Sequence, residues 1–201
     1  LTKESKMLGL NDAAIFIIKT LGSLYLLIVL MRFILQLVRA NFYNPLCQFI
    51  VKATQPLLKP LRRVIPSMFG LDMSSLVLAL IIQMLLIAVI LLLKGFMVDW
   101  LLLVPWALIA LFSLFLNIIF YAMIISVILS WVAPGSHNPG AELVAQITEP
   151  VLAPFRRIIP SLGGLDISPI FAFIVIQLLQ SWLIPRLAYF ALMPNGLLGL
   201  I

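Results

Sequence analysis

Arg62 and Arg63 stand side by side, ten residues ahead of Asp72, and Arg156, Arg157 and Asp166 repeat the arrangement further along the chain. A guanidinium grips a phosphate or carboxylate through two parallel hydrogen bonds. Neighbouring residues on a helix point about 100° apart, so one pair can serve two partners. Three kinds of chemistry are open to these arginines: topology signals held on one side of a membrane, contacts to anionic lipid phosphates, or structural ion pairs with Asp72 and Asp166. The aspartates have two readings of their own. Each precedes an apolar run and suits a helix N-cap; each is also a carboxylate near membrane depth, where ions or protons can be handled. Ser74 and Ser168 are alternative caps, with Pro169 then at the first helical position.

The arginines belong to a longer duplication. Asn44-Pro45, Thr54, Pro56, Pro60, Ile65-Pro66-Ser67, Gly70-Leu71-Asp72 and Ser74 recur 94 residues later as Asn138-Pro139, Thr148, Pro150, Pro154, Ile159-Pro160-Ser161, Gly164-Leu165-Asp166 and Ser168. Residues 44–85 align without a gap on 138–179, with 18 identities in 42 positions. The chain reads as two copies of one unit.

Composition fixes the solvent. The 201 residues are 64% hydrophobic and 10% charged, with a mean hydropathy of +1.21; soluble domains are roughly half apolar and a quarter charged. The net charge of +6 comes without a basic stripe interleaved with aromatics, which argues against nucleic acid as a partner. Cys47 and His137 are the single cysteine and histidine. They give neither a disulfide nor a metal set, and no nucleophile–base–orienter arrangement. No cofactor is expected.

Four runs are long enough to cross a bilayer: about residues 14–38, 74–93, 102–132 and 167–184. Lys3 and Lys6 resemble a signal-peptide start, but the following run carries Lys19 and Arg32, is too long and lacks a small-x-small cleavage site. It reads as a retained helix. Met7 is a candidate natural start, residues 1–6 then being foreign; otherwise residues 1–13 form a native tail. The expected architecture is an all-α membrane protein of two repeats (14–98 and 99–192), each helix, amphipathic interfacial segment, helix, ahead of a tail at 193–201. Two spans per unit make the repeats parallel, so both signature segments share one side. That side holds Arg32, Arg39, Lys52, Lys59, Arg62, Arg63, Arg156 and Arg157, against Lys3, Lys6, Lys19, Lys94 and Arg186 opposite. The positive-inside rule predicts cytoplasmic signature segments and external termini.

Asn44-Pro45 and Asn138-Pro139 read as helix starts. Gln48, Lys52, Gln55 and Lys59 then form one helical stripe, with Phe49, Ile50, Ala53, Leu57 and Leu58 around the remainder. Two placements give that pattern: a helix lying in the interface or one packed on the bundle. Pro56, Pro60, Pro150 and Pro154 are expected to interrupt or end these helices, so a re-entrant segment is a further option. Inside the spans, Arg32, Gln83, Gln177, Gln180 and Asn117 need partners in lipid. Gln83 and Gln177 are equivalent and are expected to face the bundle interior and each other. Arg32 lies about 9 Å of helix rise from Val38, close enough to snorkel or to reach Asp72 or Asp166.

The doubled pattern Asn-Pro, Thr-x-Pro, Pro-x-Arg-Arg, Ile-Pro-Ser and Gly-Leu-Asp-x-Ser resembles the YggT family, also called YlmG-like, over about residues 14–192. The second copy carries the fuller form, Asp166-Ile-Ser168-Pro169; the first departs at Ser75, where proline is expected. The resemblance implies a four-span, two-repeat protein of the bacterial inner membrane. It also implies a link to osmotic-stress tolerance, or in plastids to assembly and division, and no catalytic residue set.

Two functions follow as expectations. One is a non-enzymatic scaffold or assembly factor, whose polar face docks membrane lipids with anionic head groups, a membrane-protein partner or further copies of itself. The alternative is an oligomeric ion channel in osmotic adaptation, with Asp72 and Asp166 at its entrance.

Overall fold

The computed structural model describes residues 3–66, 70–133, 135, 138–159, 166–194 and 197, with the side chains taken from residue 11 onward. Among them the chain is helical, with no β-strand. The helices are α1 (Lys3–Leu37), α2 (Pro45–Val64), α3 (Met73–Leu93), α4 (Trp100–Val132), α5 (Pro139–Ile158), α6 (Ser168–Leu178) and α7 (Ile184–Phe190), α6 and α7 being joined by a π-helical turn at Leu179–Leu183. Four stretches are long and apolar enough to cross a membrane: Asn11–Leu37, Met73–Leu93, Trp100–Val132 and Ser168–Phe190. The expected all-α membrane fold is the one observed.

The fourth span runs beyond residue 184. Pro185 has no N–H to offer the Ser181 carbonyl, and its ring crowds that carbonyl. The wider π turn directly before it absorbs the conflict, so the helix continues to Phe190. At the other end of the chain, α1 already begins at Lys3 and continues to Leu37. It closes in a Schellman arrangement: Ala40 N–H donates to Leu35 O, Arg39 N–H to Gln36 O, and Arg39 takes a left-handed φ of 52°.

The signature prolines do not break their helices. α2 continues through Pro56 and Pro60, and α5 through Pro150 and Pro154. Pro56 and Pro60 lie on the exposed side of α2, where the carbonyls they leave without donors can meet water. The inner face meanwhile packs on the bundle. Its residues Cys47, Ile50, Thr54 and Leu58 are buried, and Leu143, Ile147, Thr148 and Leu152 are their counterparts on α5. Leu46, Phe49, Leu57 and Val64 stay exposed on a second apolar stripe. α2 thus combines both placements expected of it: one stripe on protein, a second facing outward, and the polar stripe between.

Three apolar clusters fill the bundle. One joins α1, α4, α5 and α6 around Ile34, Leu116 and Met123. A second binds α3 to the start of α4 and the end of α7 around Ile87, Trp106 and Ala188, where Trp106 Nε1 donates to Ala191 O at 2.8 Å. The third seats α2 through Leu58 against Leu26, Val29, Leu78, Ala79 and Leu111. α1 and α3 run in close contact at Gly22: a Cβ there would lie 2.3 Å from Leu86 Cδ2 and 3.0 Å from its Cγ.

Candidate functional site: the arginine–aspartate face

α2 and α5 begin as their sequences dictate. Asn44 Oδ1 accepts the Leu46 N–H at 2.9 Å, Asn138 Oδ1 accepts the Gly140 N–H at 2.9 Å, and a proline holds the first helical position of each. The two helices also touch. Asn44 Nδ2 donates to Pro139 O at 2.7 Å and Asn41 N–H to Gln146 Oε1 at 3.0 Å. Both arginine pairs, in the last turns of α2 and α5, therefore belong to one connected face.

In the first copy the charges are internal. Arg62 Nη2 donates to Asp72 Oδ2, Ser75 Oγ donates to the same oxygen at 2.7 Å, and Arg32 Nε stands 3.6 Å from it. The side chains of Arg32 and Asp72 are 5% and 4% exposed, that of Arg62 42%. Arg32 reaches along α2 as well: its Nη1 donates to Thr54 Oγ1 at 2.6 Å and to Val51 O at 3.0 Å, and its Nη2 to Gln55 Oε1 at 3.4 Å. A buried guanidinium is tolerable only when paired and hydrogen-bonded, and α2 and Asp72 together meet that demand. Thr54 passes the bond on, donating to Ile50 O at 2.7 Å. Asp72 does not cap α3 with its side chain; the capping expectation gives way to the ion-pair one because two guanidiniums compete for the carboxylate. Burial opposes ionisation of Asp72, but Arg62, Ser75 and Arg32 outweigh it and hold the carboxyl below its ordinary range.

The loop between α2 and α3 is tied from both sides. Ser74 Oγ donates to Ile65 O at 3.0 Å and Gln36 Nε2 to Gly70 O at 3.2 Å. Gly70 turns at φ 76°, the left-handed region that glycine enters at little cost. Gln36, Arg62, Ile65, Asp72 and Ser74 line a polar recess of about 320 Å³.

The second copy differs. Ser126 stands where Arg32 would be, and Glu149 where Gln55 would be. Arg156 Nε donates to Asp166 Oδ2 at 2.7 Å and its Nη1 to Glu149 Oε2 at 2.6 Å, all three side chains being well exposed. Asp166 Oδ1 accepts the Ser168 N–H at 2.9 Å, so here the cap and the ion pair coexist. Partial burial works against the Asp166 charge, yet Ser168 and Arg156 keep its carboxyl below the ordinary range. The same pairing, led by Asp166, raises Arg156.

Arg63 and Arg157 are exposed and have no ion-pair partner among the described residues. They share the outer side of α2 and α5 with exposed Lys52 and Lys59. The intramembrane polar residues divide. Asn117 Oδ1 accepts from Gln180 Nε2 at 2.8 Å, across α4 and the π turn. Gln83 is buried and borders Lys19 and Ser23 of α1. Gln177 corrects the expectation that it faces Gln83: it is exposed on α6, because α6 leaves an open groove against α4 where α3 packs closely on α1. Ser67, His137, Pro160, Ser161, Gly164 and Leu165 lie outside the described residues.

Thr54, Ser75 and Glu149 belong to the site although spacing gave them no role. Thr54 and Thr148 did recur in the duplicated pattern, which was their one signal. Thr54→Val keeps the shape and removes the hydroxyl from Arg32; it is expected to cost about 1–3 kcal/mol, read from chemical unfolding in detergent, whereas Thr148→Val, which has no arginine opposite, should cost less. Chemically the face offers two clamped carboxylates and two outward guanidiniums. Among the described residues no three histidine, cysteine, aspartate or glutamate side chains gather as metal ligands.

Comparison with known proteins agrees with the duplicated pattern. The CCB3/YggT family matches twice, over residues 11–93 and 105–187. Protein PA0392 of Pseudomonas aeruginosa is 62% identical over 193 residues, covering 95% of this chain and 98% of its own. YggT of Escherichia coli K12 is 35% identical over 166 residues, 82% of this chain and 86% of its own. The chloroplastic YlmG homolog protein 2 of Arabidopsis thaliana is 39% identical over 70 residues, 33% of this chain and 26% of its own. No solved structure matches. With the family pattern covering both halves of a four-span helical chain, the protein belongs to the CCB3/YggT family.

Proposed function

We propose that the protein is a non-enzymatic membrane scaffold of the inner membrane, built of two parallel repeats, that docks on anionic lipid head groups and supports assembly or homeostasis under osmotic stress. The observation that carries this reading is the three-way division of α2. One stripe is buried on the bundle, a second presents Leu46, Phe49, Leu57 and Val64 outward, and the polar stripe carries Lys52 and Lys59, with Arg63 beyond them. An apolar stripe beside a cationic one is what lies along a head-group boundary. Arg63 and Arg157 are free for phosphate, because Arg62 and Arg156 take the aspartates. The orientation by positive charge puts this face in the cytoplasm, where anionic lipid attracts cations by about 1 kcal/mol per residue.

Thermal unfolding in nanodiscs tests it. Phosphatidylglycerol should raise the midpoint above that in phosphatidylcholine. Replacing Lys52, Lys59, Arg63 and Arg157 by glutamine should remove most of that rise while leaving the phosphatidylcholine midpoint in place. An undiminished rise would remove the lipid-docking reading. Ion currents from the purified protein in planar bilayers would favour the channel instead. In cells, the fourfold variant should fail to restore growth of a deletion strain under osmotic shock.

A further inference from the structure

We propose that the open groove between α4 and α6 receives α1 of a second copy of this chain, each copy lending its first helix to the other's fourth span. The inference comes from comparing positions 94 residues apart. Phe120, Ile124, Phe173, Gln177 and Ser181 line an open groove of about 630 Å³. Their counterparts Leu26, Leu30, Ala79, Gln83 and Ile87 are all buried. What covers the first set of positions is α4: Leu111 shares a cluster with Leu26 and Ala79, and Leu114 packs against it. The same surface in the second half of the chain has nothing over it.

The missing cover exists once per chain, on α1. The α4 residues Ala110, Leu111 and Ile118 are buried, while their α1 counterparts Phe16, Ile17 and Leu24 are each more than half exposed. Thr20, the counterpart of Leu114, lies on the same exposed face of α1. Each chain therefore has one uncovered groove and one unused covering face. These are the two halves of a contact it already makes once internally, and two copies satisfy each other about a two-fold axis.

Polarity makes the open groove costly to leave to lipid. Gln177 sits nine residues past Ser168, which is about 13 Å of helix rise and near the middle of a hydrocarbon core about 30 Å thick. Its carboxamide is exposed and makes no hydrogen bond among the described residues. Polar side chains at such depth face protein and bond across helices. The incoming α1 carries the Thr20 hydroxyl to that groove.

The internal Leu111–Ala79 neighbourhood maps onto Ile17 of one copy and Phe173 of the other, which gives the test. Single-cysteine chains are made in a Cys47→Ala background, Ile17→Cys in one and Phe173→Cys in the other, and oxidised together in liposomes. Covalent two-chain species are expected from the mixture and not from either chain by itself. Cross-linking of Ile17→Cys chains with one another alone, or none in the mixture, overturns the proposal. Fluorescence transfer between labelled chains with Cys47 intact gives a second readout. Association should be measurable and should weaken roughly three- to twentyfold in Gln177→Leu; a chain that stays monomeric at high protein-to-lipid ratio, or a variant that associates as well as the parent, overturns it too.

Discussion

Replacing Asp72 by alanine is expected to destabilise the chain by roughly 3–5 kcal/mol, because the substitution strands a buried guanidinium. Asp72 is the one carboxylate paired with Arg32 among the described residues, and both are almost wholly enclosed. Arg32 keeps its bonds to Thr54 and Val51, but these neutralise no charge. Asp166→Ala removes an exposed pair from exposed arginine and should cost about 0–1 kcal/mol. Equilibrium unfolding of the two variants in the same detergent measures the gap, and equal losses would refute the distinction between the two copies. Acid provides a second readout. Because the Asp72 carboxyl is depressed in the folded chain, its contribution is complete above the ordinary carboxyl range, near pH 4. It is lost as pH falls through the lower folded value. Asp72→Asn keeps the shape but cannot ionise, so it should be less stable at neutral pH and show a flatter acid limb than the parent.

Leu58→Ala should cost about 2–5 kcal/mol, the range for emptying an enclosed leucine site. Leu58 is fully buried among Leu26, Val29, Leu78, Ala79 and Leu111 and is the deepest anchor of α2 on the bundle. Leu57, one residue earlier, is exposed on the outward stripe; its alanine variant should stay within about 0.5 kcal/mol of the parent in detergent. The anchor also sets the position of Arg62 one turn later, so Leu58→Ala should speed hydrogen exchange through 58–64. If exchange there is unchanged and stability falls by less than about 1 kcal/mol, α2 is held by something other than this contact.

Much of the fold is legible in the sequence because lipid imposes long uninterrupted apolar runs, and the Asn-Pro starts of α2 and α5 announce themselves locally. The prolines mislead for a physical reason. A lone proline within a polar segment reads as a break, yet Pro56 and Pro60 fall on the outer side of a helix whose inner side is pinned by Ile50 and Leu58. Tertiary contact, invisible in a local window, decides the outcome. The site divides in the same way. Arg62 with Asp72 and Arg156 with Asp166 are ten residues apart and could be paired on paper. Arg32 had several candidate partners, and only the approach of α1 to α2 and α3 selects Asp72, Thr54 and Val51. Gln177 is the sharpest miss: equivalence to Gln83 suggested equal surroundings, but a chain of two units has two ends, and the ends lack the neighbour that the middle enjoys.

The enclosed Arg32 also sets an order of events at synthesis. Arg32 emerges from the ribosome 40 residues before Asp72, the distance from 32 to 72. When the first span is ready to leave the translocation channel, its counter-charge has not yet been made. The arginine must wait near the head groups, within about 9 Å of the helix end, until the second span arrives. The first half of the chain therefore completes its entry into the bilayer as a hairpin, whereas the second half, with Ser126 in that place, has no such wait.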